Sequence, residues 1–402
     1  MATETKTVFL HVGCRKSGTT AVQLGFRKAA KRLRTDGLEQ PLGARGGTMS
    51  GLRDPVLETL RTGDPRPAEE AVARLASLVR ESDAPRHLVS LEALAEMPAE
   101  ATSIIVGGLA EFEVHLVITA RPWALTIPSE WQQLVKSRFT SDYLAFAEAV
   151  HDPSSVQGAL AEEGARFRHR QDLADVVRRW RAAAPALPVH VILVPPRDVT
   201  PGITEMFCSV VGVDLARIPT VDRVVNPSIS HENAEVLRLV NQALGTRLEN
   251  TRSNYRYSVR KWIAVGSMMK GSPGARIRLP RHLDAWAFAE SQRQVDEIRE
   301  LGCQVLGDPD SYVTPRLGGE DVAVPSDAAV AQAAAEVLAD LASWHHQQRR
   351  DQRARQRRRR ATRKRRHRAA QQPPVGVVPG AGGRVTSALR RRLRRVRARL
   401  RG

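Results

Sequence analysis

The sequence predicts an α/β protein: a parallel sheet flanked by helices, then a mainly helical C-terminal part and a disordered basic tail. Apolar, β-branched runs recur at Thr7 to Val12, His87 to Ser90, Val114 to Thr119 and Val189 to Val194, with helical stretches between them. That alternation builds a parallel sheet covered on both faces, whose ligands bind at the carboxyl ends of the strands. The first run leads through a glycine-bearing loop into Ala21 to Lys31, which has helical composition. The third observation is where the charge lies. Arg349 to Gly402 carry 22 Lys and Arg against one acid, leaving 40 basic and 42 acidic residues before them, so the net charge of +19 belongs to a tail. One domain over residues 1–346 and a tail over 347–402 follow from this, with no linker earlier in the chain.

Taken strand by strand, the chemistry gathers at the carboxyl ends. After the first, Gly13 and Gly18 have the spacing of a nucleoside-triphosphatase loop, G-x-x-x-x-G-K-[ST], but Thr19 holds the lysine's position and Lys16 stands two residues before the second glycine. A strand-to-helix turn of this kind offers free backbone N–H groups to an anion. After the second strand, Ser90-Leu91-Glu92 opens a helix over Leu91 to Met97 and places Glu92 at the carboxyl edge. The third ends in Arg121, and Ser129 follows eight residues later, reading as the start of a helix with a Ser129-to-Gln132 capping box. An arginine fork with a hydroxyl suits a phosphate. Trp131 and Lys136, on that helix, fall where an acceptor pocket would be lined. The fourth strand leads to Pro195 to Arg197. Between the first two strands, Ala44 to Pro67 is rich in Gly, Arg, Asp and Pro and reads as a surface excursion with a short helical piece near Leu57. Helical patterns then cover Glu232 to Leu244, Tyr255 to Met269, Arg281 to Glu300 and Asp327 to Trp344.

Arg15-Lys16-Ser17-Gly18-Thr19-Thr20 resembles the 5′-phosphosulfate loop P-K-[ST]-G-T-T of sulfotransferases that use 3′-phosphoadenosine 5′-phosphosulfate (PAPS). Five of its six positions match, with Arg15 in place of the proline. The resemblance implies a P-loop-type sheet, PAPS as donor substrate and no metal. It implies backbone N–H groups of Ser17 to Thr20 around the 5′-phosphate, assisted by the hydroxyls of Thr19 and Thr20. Lys16 would stabilise charge on the bridging oxygen, and Arg121 and Ser129 would hold the 3′-phosphate. Arg15 either adds charge beside the bridge or points into solvent. The similarity runs over about residues 5–315, through Val225-Asn226-Pro227-Ser228 and Gly307-Asp308-Pro309. No tryptophan follows Thr20, and the family's R-K-G-x-x-G-D closing loop has only a partial echo in Lys270-Gly271-Ser272-Pro273-Gly274.

Sulfuryl transfer to a hydroxyl or amine needs a base. Family members use a histidine or a glutamate, and Glu92 is the candidate here. His11 falls inside the first strand, while His87 and His115 fall near strand starts, the wrong end of the sheet. The near-neutral body points to a small-molecule, lipid or saccharide acceptor. Two alternatives stay open: a P-loop nucleotide kinase or ATPase, weakened by Thr19, and a non-catalytic protein that binds anionic surfaces through its tail. In the tail, Val385, Leu389, Leu393, Val396 and Leu400 form one helical stripe among arginines, suited to an anionic membrane surface or to nucleic acid. Three widely spaced cysteines give neither a disulfide framework nor a metal site. No signal-like segment or 18-residue apolar run is evident, so the expected location is cytoplasmic, peripheral at the membrane through the tail.

Overall fold

Alternate residues of a strand point to opposite faces, and the first strand sorts the core accordingly. Val8, Leu10 and Val12 enter one apolar cluster and Phe9 another, all buried. The computed structural model describes residues 5–41, 51–196, 199–221, 228–248, 252–268, 276–315 and 324–371. Its strands are β1 (Thr7–Gly13), β2 (Leu38–Glu39), β3 (Arg86–Ser90), β4 (Glu113–Ala120), β5 (Val189–Leu193) and β6 (Gln304–Leu306). They form one parallel sheet in the order β2-β3-β1-β4-β5-β6. Leu10 stands opposite Val89 on one side and Leu116 on the other. The carboxyl ends of β3 and β4 thus flank the loop that leaves β1.

The helices are α1 (Thr20–Thr35), α2 (Arg53–Thr62), α3 (Arg66–Glu81), α4 (Ala99–Gly107), α5 (Trp123–Val135), α6 (Tyr143–His151), α7 (Gly158–Gln171) and α8 (Leu173–Ala183). There follow α9 (Ile203–Val211), α10 (His231–Leu244), α11 (Arg252–Tyr255), a π-helix (Arg256–Met268), α12 (Asp284–Glu300), α13 (Pro309–Val313) and α14 (Asp327–Gln371). Side chains of α2, α3, α4, α8 and α12 join the Val8 cluster, and those of α1 and α9 join the Phe9 cluster. A third cluster has no strand in it. Trp123, Ile127 and Trp131 of α5 pack there with Phe146, Phe167, Leu237 and Ala287.

The four anticipated strands are present, and the two outer ones, β2 and β6, are too short for a periodicity to show. Four expectations need correction. The stretch from Ala44 to Pro67 is no mere surface excursion, because Leu52 and Val56 are fully buried beside Val8 and Leu10; residues 42–50 lie outside the described residues. The turn after β3 is a 3-10 helix, Glu92–Glu96, rather than a helix from Leu91 to Met97. The helix carrying Ser129 starts at Trp123, six residues earlier than the capping box implied. Pro128 lies inside this helix, where the buried apolar face of Trp123, Ala124, Ile127 and Trp131 outweighs the cost of about 3 kcal/mol for an interior proline.

The last correction concerns the tail. The chain divides into two units, Met1–Leu341 and Ala342–Gly402. The second, expected to be disordered from residue 347, is helical as far as Gln371, in keeping with its Arg, Gln and Ala content, all strong helix formers. The apolar stripe from Val385 to Leu400 lies outside the described residues, as do Arg197, Val225-Asn226-Pro227 and the loop at Lys270-Gly271-Ser272-Pro273-Gly274. No helix among the described residues is long and apolar enough to cross a membrane.

Candidate functional site

The loop between β1 and α1 turns on two left-handed residues, Lys16 (φ 66°) and Gly18 (φ 81°). The first is unusual for a side-chain-bearing residue. It persists because the loop is tied down from below. Cys14 N–H donates to Thr119 O at 2.6 Å, Ser17 Oγ donates to Cys14 O at 2.7 Å, and Thr119 Oγ1 donates to Gly13 O at 3.1 Å. Ser17 Oγ and Thr119 Oγ1 are themselves 2.7 Å apart. His11 Nε2 lies 3.1 Å from Thr119 Oγ1 and His11 Nδ1 lies 2.7 Å from Ser90 Oγ, which also accepts from Gln23 Nε2 at 3.0 Å. A neutral imidazole with its proton on Nε2 donates to Thr119 Oγ1 and accepts from Ser90 Oγ, while the single Ser17 proton serves either Cys14 O or Thr119 Oγ1. Burial pushes the His11 pKa down to about 3, so this histidine braces the loop.

Glu92 comes to the loop through a close approach of backbones. A Cβ on Gly13 would sit 2.9 Å from Ala95 Cβ and from Glu92 O, so only glycine permits the contact. Thr19, at the N-cap of α1, makes no side-chain cap. Its hydroxyl donates instead to Glu92 Oε1, leaving the first-turn N–H groups of α1 without a partner inside the helix. Burial raises the Glu92 pKa to about 7 against the pull of Arg15 and Lys16. Arg15 does not point into free solvent: its Nη1 pairs with Glu96 Oε1 at 3.0 Å, and Gln171 Nε2 fixes its carbonyl at 2.9 Å. Burial works against the Arg15 charge, but Glu130 and Glu96 outweigh it and hold its pKa above the usual value. Glu130 is itself fully buried with Arg170 Nη2 at 2.8 Å from its Oε1.

Across from the loop, Lys16 Nζ donates to Gln133 Oε1 of α5 at 3.0 Å. Burial lowers its pKa, with Glu130 resisting and Arg15 reinforcing the shift. Residues three and four apart share a helix face, so Ser129, Gln133 and Lys136 form one polar stripe along α5, and Lys16 touches its centre. Ser129 stands in the second turn of α5, its Oγ donating to Leu125 O at 3.2 Å. It does not cap a helix. Arg121 is half-buried directly after β4, and its carbonyl accepts from Thr126 Oγ1 at 3.1 Å. Trp131 belongs to the core, its Nε1 donating to Ser141 O at 3.0 Å.

The structure thus joins Arg15, Lys16, Ser17, Gly18 and Thr19 with Glu92 in one cluster, opens α1 with Thr20, and sets Arg121 at the end of the adjacent strand. Sequence reasoning passed over Thr119, Gln133, Gln171 and the Glu130–Arg170 pair. Thr119 had a signal, since it stands at a strand's carboxyl end; the others reach the site only through packing. The fold and site together define an α/β protein with a glycine-hinged, lysine-bearing loop at the carboxyl edge of a parallel sheet. Comparison of the chain with known protein families, characterised proteins and solved structures finds no match.

Proposed function

We propose that the chain is a PAPS-dependent sulfotransferase on a P-loop-type sheet. One observation carries the reading most: a lysine held on the far side of the loop by Gln133 and a carboxyl group with its pKa near 7 converge on the same strand-to-helix turn. A hydroxyl or amine of the acceptor attacks the donor sulfur while the bond from sulfur to the bridging oxygen breaks. The acceptor's proton passes to Glu92, whose pKa suits a base near neutrality. The electron pair of the broken bond leaves on the 5′-phosphate oxygen of the 3′,5′-bisphosphate, where Lys16 and the first-turn N–H groups of α1 offset the charge. Arg121 and Ser129 hold the 3′-phosphate.

A ligand that binds only the folded state stabilises it by about 2.7 kcal/mol at a hundred times its Kd. Thermal unfolding with adenosine 3′,5′-bisphosphate and with ATP–Mg²⁺ therefore tests the reading. A rise in Tm with the bisphosphate, larger than that with ATP–Mg²⁺, is the expected result. The reverse order would favour a kinase, and no response to either would retire nucleotide chemistry altogether.

A further inference from the structure

Lys136 is the C-cap of α5 and only 7% exposed. Among the described residues no acceptor reaches its ammonium group, and the charged groups that bear on it are both cations, Lys16 and Arg260 of the π-helix. The negative end of the α5 dipole favours a cation there, but a partial charge of that size does not offset three cations. Burial, and after it the repulsion from Lys16 and Arg260, brings the Lys136 pKa down to about 8. Tyr255, the last residue of α11 before the π-helix, donates its hydroxyl to Val135 O at 3.2 Å, so the elements carrying Lys136 and Arg260 pack against each other, and like charges gathered there call for an anion. The stripe along α5 tells which one. Ser129, placed at the donor's 3′-phosphate, is seven residues from Lys136, about 10 Å at 1.5 Å per residue, and Gln133 with Lys16 lies between them. Lys136 therefore stands on the side of Lys16 away from the donor's 3′ end.

We propose that Lys136 and Arg260 form an anion subsite for the acceptor, so that the acceptor is a molecule bearing a carboxylate, phosphate or sulfate group besides the hydroxyl or amine it presents for transfer. The subsite as an acceptor site rests on the sulfuryl-transfer reading; the anion-binding property does not. Its affinity comes from charge-assisted hydrogen bonds to a group that neutralises Lys136.

Calorimetric titration of the full chain with inorganic sulfate, first saturated with adenosine 3′,5′-bisphosphate and then with PAPS, tests the proposal. Sulfate is expected to bind both complexes. Lys136→Gln and Arg260→Gln should each weaken it at least tenfold while changing bisphosphate affinity less than threefold. Arg260 is exposed, so its variant keeps the test independent of any folding defect at Lys136. Sulfate that binds the bisphosphate complex but not the PAPS complex would occupy the donor's own sulfuryl position and overturn the proposal, as would sulfate affinity unchanged in both variants. A chain that binds sulfate through Lys136 yet binds neither nucleotide would keep the anion subsite and retire the sulfotransferase reading.

Discussion

The two ends of the site treat charge in opposite ways. At the loop end, cations meet oxygen partners from the chain itself: Arg15 has Glu96, Lys16 has Gln133 with Glu130 and Glu92 nearby, and Arg170 is paired with Glu130. At the C-terminal end of α5, the charged groups among the described residues that bear on Lys136 are the cations Lys16 and Arg260. A balanced cluster is built to hold its geometry before any ligand arrives, whereas an unbalanced one is completed by the ligand. Stability is therefore stored at the first end and ligand affinity at the second.

The sharpest way to probe the balanced end is Glu92→Gln. Turnover should fall by about 10²–10⁴-fold as the base is lost. Stability should move the other way. The folded-state pKa of about 7 lies above the ordinary 4.5, so the wild type has no penalty below pH 4.5, loses stability as the pH rises towards 7 and bears the full cost beyond it. The glutamine variant should then be more stable by about 3 kcal/mol at pH 8 and unchanged at pH 4, read from urea unfolding. A variant whose advantage over the wild type is no larger at pH 8 than at pH 4 would refute the buried, proton-poised carboxyl. Next comes Lys16→Ala, expected to slow transfer by about 10²–10³-fold while weakening bisphosphate binding much less; unaltered single-turnover rates would remove the lysine from the reaction.

Arg170→Met tests whether the balance itself holds the loop. It leaves Glu130 buried and unpaired, so a loss of about 3–5 kcal/mol is expected in denaturant unfolding, and a loss below 1 kcal/mol would show the pair to be dispensable. A smaller effect is expected from Arg121→Ala, about tenfold in the preference for nucleotides with a 3′-phosphate over those without, measured by competition. Undiminished discrimination would move the 3′-phosphate elsewhere. Smallest of all is deletion of residues 372–402, which should leave bisphosphate affinity unchanged; a clear drop would bring the tail into the site.

Legibility followed sequence distance. The strand of Thr7 to Val12, the two glycines and Lys16 form a local pattern, and the structure keeps all of it. The helix carrying Ser129 starts six residues before the Ser129-to-Gln132 capping box because the box is a local signal, while the helix is held together by tryptophans packing against α6, α7 and α12. The short edge strands β2 and β6 exist only because neighbouring strands supply their hydrogen-bond partners. Thr119 braces Ser17 from 102 residues away, and Glu92 meets Thr19 across 73. No spacing within either segment encodes those contacts.

What the sequence by itself determined is the sheet's alternating plan, the displaced lysine in its loop and the confinement of the positive charge to the last residues, because each depends on neighbours along the chain. Only the tertiary structure decided that Glu92 is buried enough to hold a proton near pH 7, that Arg15 is tied to Glu96, and that Lys136 is left among cations. Burial and pairing set the free energy of a charge, and both are properties of what surrounds a side chain in space.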